Sequence, residues 1–414
     1  MQQWGMKRWK EVLLSCAALY AGLTLAYMLY NSFTNPLGSI DFHSYWYAAH
    51  LLREGRDPYQ AYLTNASPTP PISYLDGITV NADPAQPNLQ TVPVNTAPIL
   101  LLLAPLAYLS WLPAKGVWLA INTLFMLIAP WLTLRWARRH DIKLGRWDEI
   151  AVAVAFYGIA APRFVVGYGQ TSLLVYDLMI GALLLWQSRP VLAGVLLGVA
   201  LSKYSLVFPV LLLFAYWRQW RVLLVAGVVQ AVGLLVINGI GDTTPLTTLQ
   251  AYLALAVEHT VKSGIHIGSL YNGSALFRVV APLGLTLVVG GILYRQRRLF
   301  ALHGEFSLIV IGLLWGVLVV YHRMYDGLLI LPFLVLLAWG TTRISPPLSD
   351  WIRWYGIGVV ALLSLPVPLY ELIFSGYWSK ILNSVWTLLF GSALIVTFWL
   401  LGQLSQPQKA TAIL

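Results

Sequence analysis

The sequence predicts an all-α polytopic membrane protein, and three observations carry that prediction. Of 414 residues, 58% are hydrophobic and only 10% are charged, whereas a soluble chain carries roughly a quarter charged residues. Mean hydropathy is +0.70. The apolar residues also fall into runs, many near the roughly 20 residues a helix needs to cross a bilayer, and short basic clusters separate them. The net charge of +10 does not point to nucleic acid, because basic residues of a polytopic protein mark its cytoplasmic loops. Cys16, the one cysteine, lies in an apolar run and cannot close an internal disulfide. The sequence supports no redox chemistry and no zinc site, and neither a metal nor a cofactor is expected.

The elements follow from hydropathy and from the Lys/Arg bias read together. Lys7, Arg8 and Lys10 place the start of the chain in the cytoplasm, and the apolar stretch Val12 to Tyr30 reads as a span rather than a cleaved signal. The polar stretch that follows lies outside. The basic run Arg135, Arg138, Arg139, Lys143 and Arg146 belongs inside, yet two apolar stretches, 98–111 and 116–134, intervene. The first is short and holds Pro98 and Pro105, so it is expected to be interfacial or re-entrant, supported by neighbouring protein. Later basic clusters at Arg189, Arg218/Arg221, Arg295/Arg297/Arg298, Arg343/Arg353 and Lys409 then all fall inside. Twelve spans result: 11–31, 114–135, 148–162, 170–187, 190–202, 204–217, 221–240, 274–294, 305–320, 326–341, 355–374 and 381–401. A crossing by 98–111 would make thirteen. Both termini are expected in the cytoplasm, with the chain in the plasma (inner) membrane. Residues 1–414 read as a single transmembrane domain, with 31–113 as a long first outer loop. Spans 190–202 and 204–217 are shorter than the bilayer core, which predicts a water-filled cavity above their outer ends.

The polar residues that can do chemistry collect on the outer face. In Asp41-Phe42-His43-Ser44-Tyr45-Trp46-Tyr47-Ala48-Ala49-His50-Leu51-Leu52-Arg53, Phe42, Tyr45, Trp46, Ala49 and Leu52 recur at helical spacing, which predicts an amphipathic helix in the membrane interface. Asp41 at its first turn has two readings. It is a cap for free backbone N–H groups, or a general base that takes the proton of an attacking hydroxyl while neighbours such as His43 and Tyr45 hold the acceptor. Lys203, between two apolar helices, is either a snorkelling anchor or the partner of an anion such as a phosphate. Arg163 precedes the bend Gly167-Tyr168-Gly169-Gln170, whose N–H groups and Gln170 amide suit an anion or a sugar. In Tyr321-His322-Arg323-Met324-Tyr325-Asp326, His322 can donate to a phosphate oxygen, and Arg323 with Asp326 can form a clasp at i, i+3. Asp177 lies deeper, to pair with another helix or to line a cavity, and Glu371 reads as an interfacial residue. Asn65-Ala66-Ser67 is a glycosylation sequon on the outer side.

The ordered set of these pieces resembles glycosyltransferase family 87, within the GT-C class of polyprenyl-phosphate-sugar-dependent enzymes. The resemblance rests on Asp41-Phe42…Tyr45-Trp46-Tyr47-Ala48-Ala49…Leu52…Gly55…Pro58-Tyr59, on Pro98…Leu103-Ala104-Pro105-Leu106-Ala107, on Gly169-Gln170, on Arg189 through Ala200 followed by Lys203, and on Tyr321-His322…Tyr325-Asp326…Leu328-Leu329…Leu331-Pro332. It implies a GT-C-like bundle and an inverting sugar transferase that works at the outer face. Asp41 would deprotonate the acceptor hydroxyl. Lys203 and His322, with Arg163, Gln170, Arg323, Tyr325 and Asp326, would hold the donor phosphate and sugar. The partners implied are a polyprenyl-phosphate sugar, a lipid or glycan acceptor and the membrane lipids. Mannose is slightly preferred on family grounds, with arabinofuranose as the alternative. The chain departs from the family pattern at Thr96-Ala97-Pro98, where Tyr-Pro-Pro is usual, and at Ser172, where Asn is often found. Its segment Tyr62–Val94 is longer than usual. A transporter or lipid-linked-sugar flippase is the reading from another class, but transporters place polar residues at midplane and carry repeats, neither of which is evident here.

Overall fold

The structure, a computed structural model, describes residues 2–34, 38–64, 95–260, 265–270, 275–295, 297–320, 322–364 and 378–405. The sequon at 65–67, most of the segment 62–94, Tyr321 and Glu371 lie outside the described residues. The described residues are helical, with one isolated extended bridge between Ile265 and His322. In chain order the helices are α1 (Gln2–Thr34), α2 (Ile40–Arg53), α3 (Pro58–Thr64), α4 (Ala97–Leu103), α5 (Trp111–Arg139), α6 (Arg146–Gly158), α7 (Ala160–Tyr168), α8 (Ser172–Leu185), α9 (Pro190–Ala200), α10 (Tyr204–Tyr216), α11 (Trp220–Gly241) and α12 (Pro245–Thr260). They continue with α13 (Ala275–Arg295), α14 (Arg297–Val319, broken at Gly304), α15 (Leu331–Thr341), α16 (Leu348–Ser364) and α17 (Trp378–Leu404).

Five helical stretches of the described residues are long and apolar enough to cross a membrane: Trp111–Arg139, Pro190–Tyr216, Trp220–Gly241, Met324–Thr341 and Asn383–Leu404. The count is six if α6 and α7, bent by 48°, form one span. The chain is therefore an integral membrane protein, but the expected twelve crossings are not reproduced on length. Expected spans 170–187, 274–294 and 305–320 fall on the shorter apolar stretches Ser172–Leu185, Val280–Arg295 and Gly304–Val319. The stretch 98–111 is α4 followed by a 3-10 segment, Ala104–Tyr108. Those twelve residues rise by at most about 24 Å even with part of the path in 3-10 geometry, short of a hydrocarbon core of about 30 Å.

One of these stretches, Pro190–Tyr216, is not a single straight helix but reverses direction. Trp186, just before α9, stacks on Trp217, just after α10, with ring centroids 5.8 Å apart. A straight helix over Pro190–Tyr216 would separate its ends by about 40 Å, so α9 and α10 form a hairpin. The turn is the 3-10 segment Leu201–Lys203, where Lys203 leaves helical geometry at φ −119, ψ 73. At 11 and 13 residues, each arm spans roughly 16–20 Å. Lys203 therefore sits at the tip of a hairpin whose arms are shorter than a hydrocarbon core of about 30 Å. The neighbouring α11 runs alongside α9 in the same direction, with Gln230 Nε2 donating to the Gly198 carbonyl at 2.6 Å.

The predicted amphipathic helix is α2, and the structure buries its apolar face in protein rather than leaving it to a membrane surface. Phe42, Tyr45, Trp46, Ala49 and Leu52 are all buried. Phe42 stacks between Trp111 and Trp118 at centroid distances of 5.7 and 5.4 Å. Trp46 Nε1 donates to the Leu109 carbonyl at 3.2 Å, and Arg53 donates to that of Ala107 at 2.9 Å. The segment Ala97–Tyr108 and the start of α5 thus form a seat for α2. Two apolar cores result, a large one across α5–α17 and a smaller one around α2–α5. The first turn of α8 joins them: Leu173 packs in the former and Leu174 in the latter.

Candidate active site

The site assembles where α2, the α7–α8 turn, the α9–α10 turn and the segment before α15 meet. The first three contribute one or two polar side chains each, and the last contributes His322, Arg323, Tyr325 and Asp326. Asp41 lies in the first turn of α2, but its carboxylate does not cap that helix. The N-cap is Ser39, in a left-handed conformation (φ 62), whose backbone N–H donates to the Gly167 carbonyl at 2.9 Å. That bond ties the start of α2 to α7. Asp41 Oδ2 accepts from Gln170 Nε2 at 2.5 Å, while Oδ1 takes no hydrogen bond among the described residues.

The turn that presents Gln170 depends on Gly169. Its φ of +69 lies in the left-handed region, where a Cβ is penalised, and a Cβ there would stand 2.6 Å from Cβ of Phe42. The close approach lets α2 lie against the turn and brings Asp41 to the amide. Trp118 Nε1 donates to the Gly169 carbonyl at 2.7 Å and fixes the same turn from α5. Gln170 is buried, and its Oε1 accepts from the Tyr45 hydroxyl at 3.0 Å.

The second half of the site is built on Asp326. Its Oδ1 accepts from Lys203 Nζ at 2.6 Å and from Ser172 Oγ at 3.0 Å, and Lys203 Nζ lies 2.5 Å from Ser172 Oγ. Its Oδ2 meets His322 Nδ1 at 3.3 Å and the Arg323 backbone N–H at 3.2 Å. Asp326 is 2% exposed and the Lys203 side chain 11%, so this is a nearly dry ion pair with most lone pairs satisfied. Lys203 also sits 4.3 Å from the centroid of the Tyr325 ring, a cation–π contact.

The two halves face each other. Burial raises the Asp41 carboxyl above the ordinary carboxylate range, while the Gln170 hydrogen bond and the positive charges of Arg323 and Lys203 oppose the rise. Lys203, Arg323, Tyr325 and Asp41 are each partly exposed, whereas Asp326, His322, Gln170 and Tyr45 are buried. The first group is thus the one open to solvent, and the second packs behind it. Among the described residues no group of three or more His, Cys, Asp or Glu could hold a metal ion.

Several sequence expectations change in detail. The cation paired with Asp326 is Lys203, 123 positions away, and Arg323 meets that carboxylate through its backbone rather than as the expected i, i+3 clasp. His322 is fully buried and bonded to Asp326. Its Nδ1 faces the carboxylate, and Nε2 has no hydrogen-bond partner among the described residues. His322 thus stands behind the ion pair rather than presenting itself to a phosphate. The structure does not bring Arg163 into the cluster: its guanidinium donates to the carbonyls of Ile159, Gly158 and Ser364 and lies over the Tyr20 ring. His43 packs against Trp111, ring centroids 5.0 Å apart, on the aromatic side of α2. Asp177 is buried, its carboxylate oxygens without a hydrogen-bond partner among the described residues, and is not part of this site. Ser172, which the sequence marks only as a departure from a family pattern, turns out to bridge Lys203 and Asp326. Asn95 is a further polar neighbour: its amide donates to Thr171 Oγ1 at 2.9 Å and its carbonyl accepts from the Tyr59 hydroxyl at 2.7 Å.

Comparison with known proteins identifies the family. The family model described as Glycosyltransferase family 87 matches residues 94–346, more than half of the chain. That range holds Gln170, Lys203 and the 322–326 segment; Asp41 precedes it, so its place in the site rests on geometry. An Alpha-(1->3)-arabinofuranosyltransferase of Mycobacterium tuberculosis, from strain CDC 1551 / Oshkosh and again from strain ATCC 25618 / H37Rv, is 26% identical over 283 residues. Each match covers 62% of this chain and 60% of the relative, so the chain spans about 60% of the length of the curated relatives it matches. No solved structure matches the chain. On the extent of the family match, the chain belongs to glycosyltransferase family 87.

Proposed function

We propose that the protein is an inverting glycosyltransferase that moves a sugar from a polyprenyl-phosphate donor to a hydroxyl of a lipid or glycan at the outer membrane face. The observation that carries the reading is the pairing of two half-sites: Asp41, with one oxygen unused, faces a partly exposed pair of cations, Lys203 and Arg323. Displacement at the anomeric carbon needs both. The acceptor oxygen forms the new bond to that carbon as its proton passes to Asp41 Oδ1. The electron pair of the breaking carbon–oxygen bond goes to the phosphate, whose growing negative charge is met by Lys203 and Arg323. The leaving phosphate needs no general acid, since it departs as an anion. Attack from the face opposite the phosphate inverts the anomeric centre.

Asp326 supports this chemistry without touching substrate. It holds Lys203 at the wall of the site, and His322 and Ser172 hold Asp326. Arg163 is left out of the donor set, because its guanidinium serves the α6–α7 junction. Sequence reasoning alone put mannose first as the sugar. The name of the matched relatives puts arabinofuranose level with it, and both readings use the same residues. Purified protein is incubated with radiolabelled polyprenyl-phosphate mannose or polyprenyl-phosphate arabinofuranose and a pool of membrane lipid and glycan acceptors. Transfer from one of the two is expected, and transfer from neither would refute the proposal.

A further inference from the structure

We infer that Tyr45, acting through Gln170, is a positioning residue that fixes which oxygen of Asp41 meets the acceptor and where it points. The inference rests on the proposed role of Asp41 as base and extends it to two residues for which the sequence suggested other work. Gln170 was expected to hold the donor and Tyr45 the acceptor. Both are instead buried, at 6% and 4% exposure; Gln170 spends its side-chain atoms on Tyr45 and Asp41, and the Tyr45 hydroxyl also lies beside Thr171 and Asn95.

Geometry makes the arrangement directional. Asp41 and Tyr45 are four residues apart on α2 and so share a face one turn apart, and Gln170 bridges them from the α7–α8 turn. An amide side chain has an accepting end and a donating end. The Tyr45 hydroxyl donates to Oε1 at 3.0 Å, which leaves Nε2 to face Asp41 Oδ2 at 2.5 Å. The backbone of Gln170 is itself held, its N–H donating to the Val165 carbonyl at 2.9 Å. The carboxylate only accepts and so draws the Nε2 end of the amide; the tyrosine hydroxyl, bonded to the other end, keeps the amide from swinging away from it. With that hydroxyl in place, Oδ2 stays occupied and Oδ1 is the oxygen left for a substrate proton.

The groups facing Asp41 are Gln170 before α8, Tyr45 on α2, Lys203 at the α9–α10 turn, and Arg323 and Tyr325 before α15, with Asp326 behind Tyr45 and Tyr325. Of these, the Gln170 bond and the two cations favour the ionised base, so losing the bond makes Asp41 harder to ionise. In Tyr45→Phe the acid limb of the kcat/KM profile should move upward by about one pH unit. The kcat should drop on the order of tenfold, and the donor KM should hold. Gln170→Met should do the same or more. The double variant should be no worse than Gln170→Met alone, because Tyr45 acts only through the amide. Either single variant suffices for the reading if it binds polyprenyl-phosphate mannose or arabinofuranose as the wild type does. An unmoved acid limb, or losses that multiply in the double variant, would overturn the inference. Transfer that survives in Asp41→Asn would overturn the base itself and this inference with it. A dead Asp41→Asn beside an unmoved limb would overturn the positioning role alone.

Discussion

Removal of Lys203 separates stability from function because of how its charge is balanced. Lys203 and Asp326 lie 2.6 Å apart, with 11% and 2% of their side chains exposed. In Lys203→Met the Asp326 carboxylate keeps its bonds to His322 and the Arg323 N–H but loses its counter-ion in a nearly dry setting. Breaking such a pair from one side costs about 3–5 kcal/mol, a large share of a folded domain's roughly 5–15 kcal/mol. Adding Asp326→Asn removes the orphaned charge. The amide oxygen still accepts from the backbone, and its nitrogen can donate to Ser172. The double variant should recover at least about 2 kcal/mol of the loss, a coupling of the size direct partners show. Donor affinity should behave differently, since the cation is absent in both variants. Each should bind the polyprenyl-phosphate sugar more than tenfold more weakly than the wild type. Unfolding followed by tryptophan fluorescence gives the first quantity and donor titration the second. A cost below about 1 kcal/mol for Lys203→Met, or strictly additive costs, would refute the buried pair. Donor binding restored by Asp326→Asn would refute Lys203 as a phosphate ligand.

Three further outcomes follow from the same geometry. Gly169→Ala forces a side chain into a left-handed position and against Phe42, so stability should fall by about 1–3 kcal/mol and kcat with it as Asp41 and Gln170 part, which thermal unfolding and turnover measure together. Arg163→Ala should lower stability by about 2 kcal/mol through lost bonds to three carbonyls while leaving the donor KM within twofold; a large rise in KM would return Arg163 to the donor site. The wild-type kcat/KM should decline on the acid side as pH falls through the raised ionisation range of Asp41, because a base must be ionised to act. Arg323→Ala should move that limb upward, since it removes a charge that favours the carboxylate.

The membrane character, the helix at Ile40–Arg53 and most of the site's parts could be read from the chain, because each leaves a local mark. Apolar runs, a three-and-four spacing and ionisable residues at helix ends all lie within a turn or two of sequence. The pairings could not be read in this way. Lys203 finds Asp326 across 123 positions and Gln170 finds Asp41 across 129, and no local pattern encodes such a meeting. The expected Arg323–Asp326 clasp failed for this reason, as spacing sees only neighbours and the competing lysine comes from another hairpin. Arg163 misled similarly: an arginine beside a glycine-rich bend suits an anion, but the carbonyls at the bend between α6 and α7 take it first. Length alone does not reproduce the expected number of crossings, because helices such as α8 and α9 are shorter than a bilayer-spanning helix.

The account centres on Asp41 as the base, and a single comparison tests it most directly. Wild type and Asp41→Asn are measured side by side for donor affinity and for single-turnover sugar transfer. The amide keeps the size of the side chain but cannot take the proton. Donor affinity should stay within a fewfold of wild type, while the transfer rate drops on the order of a hundredfold to ten-thousandfold. Transfer at close to the wild-type rate would contradict the assignment.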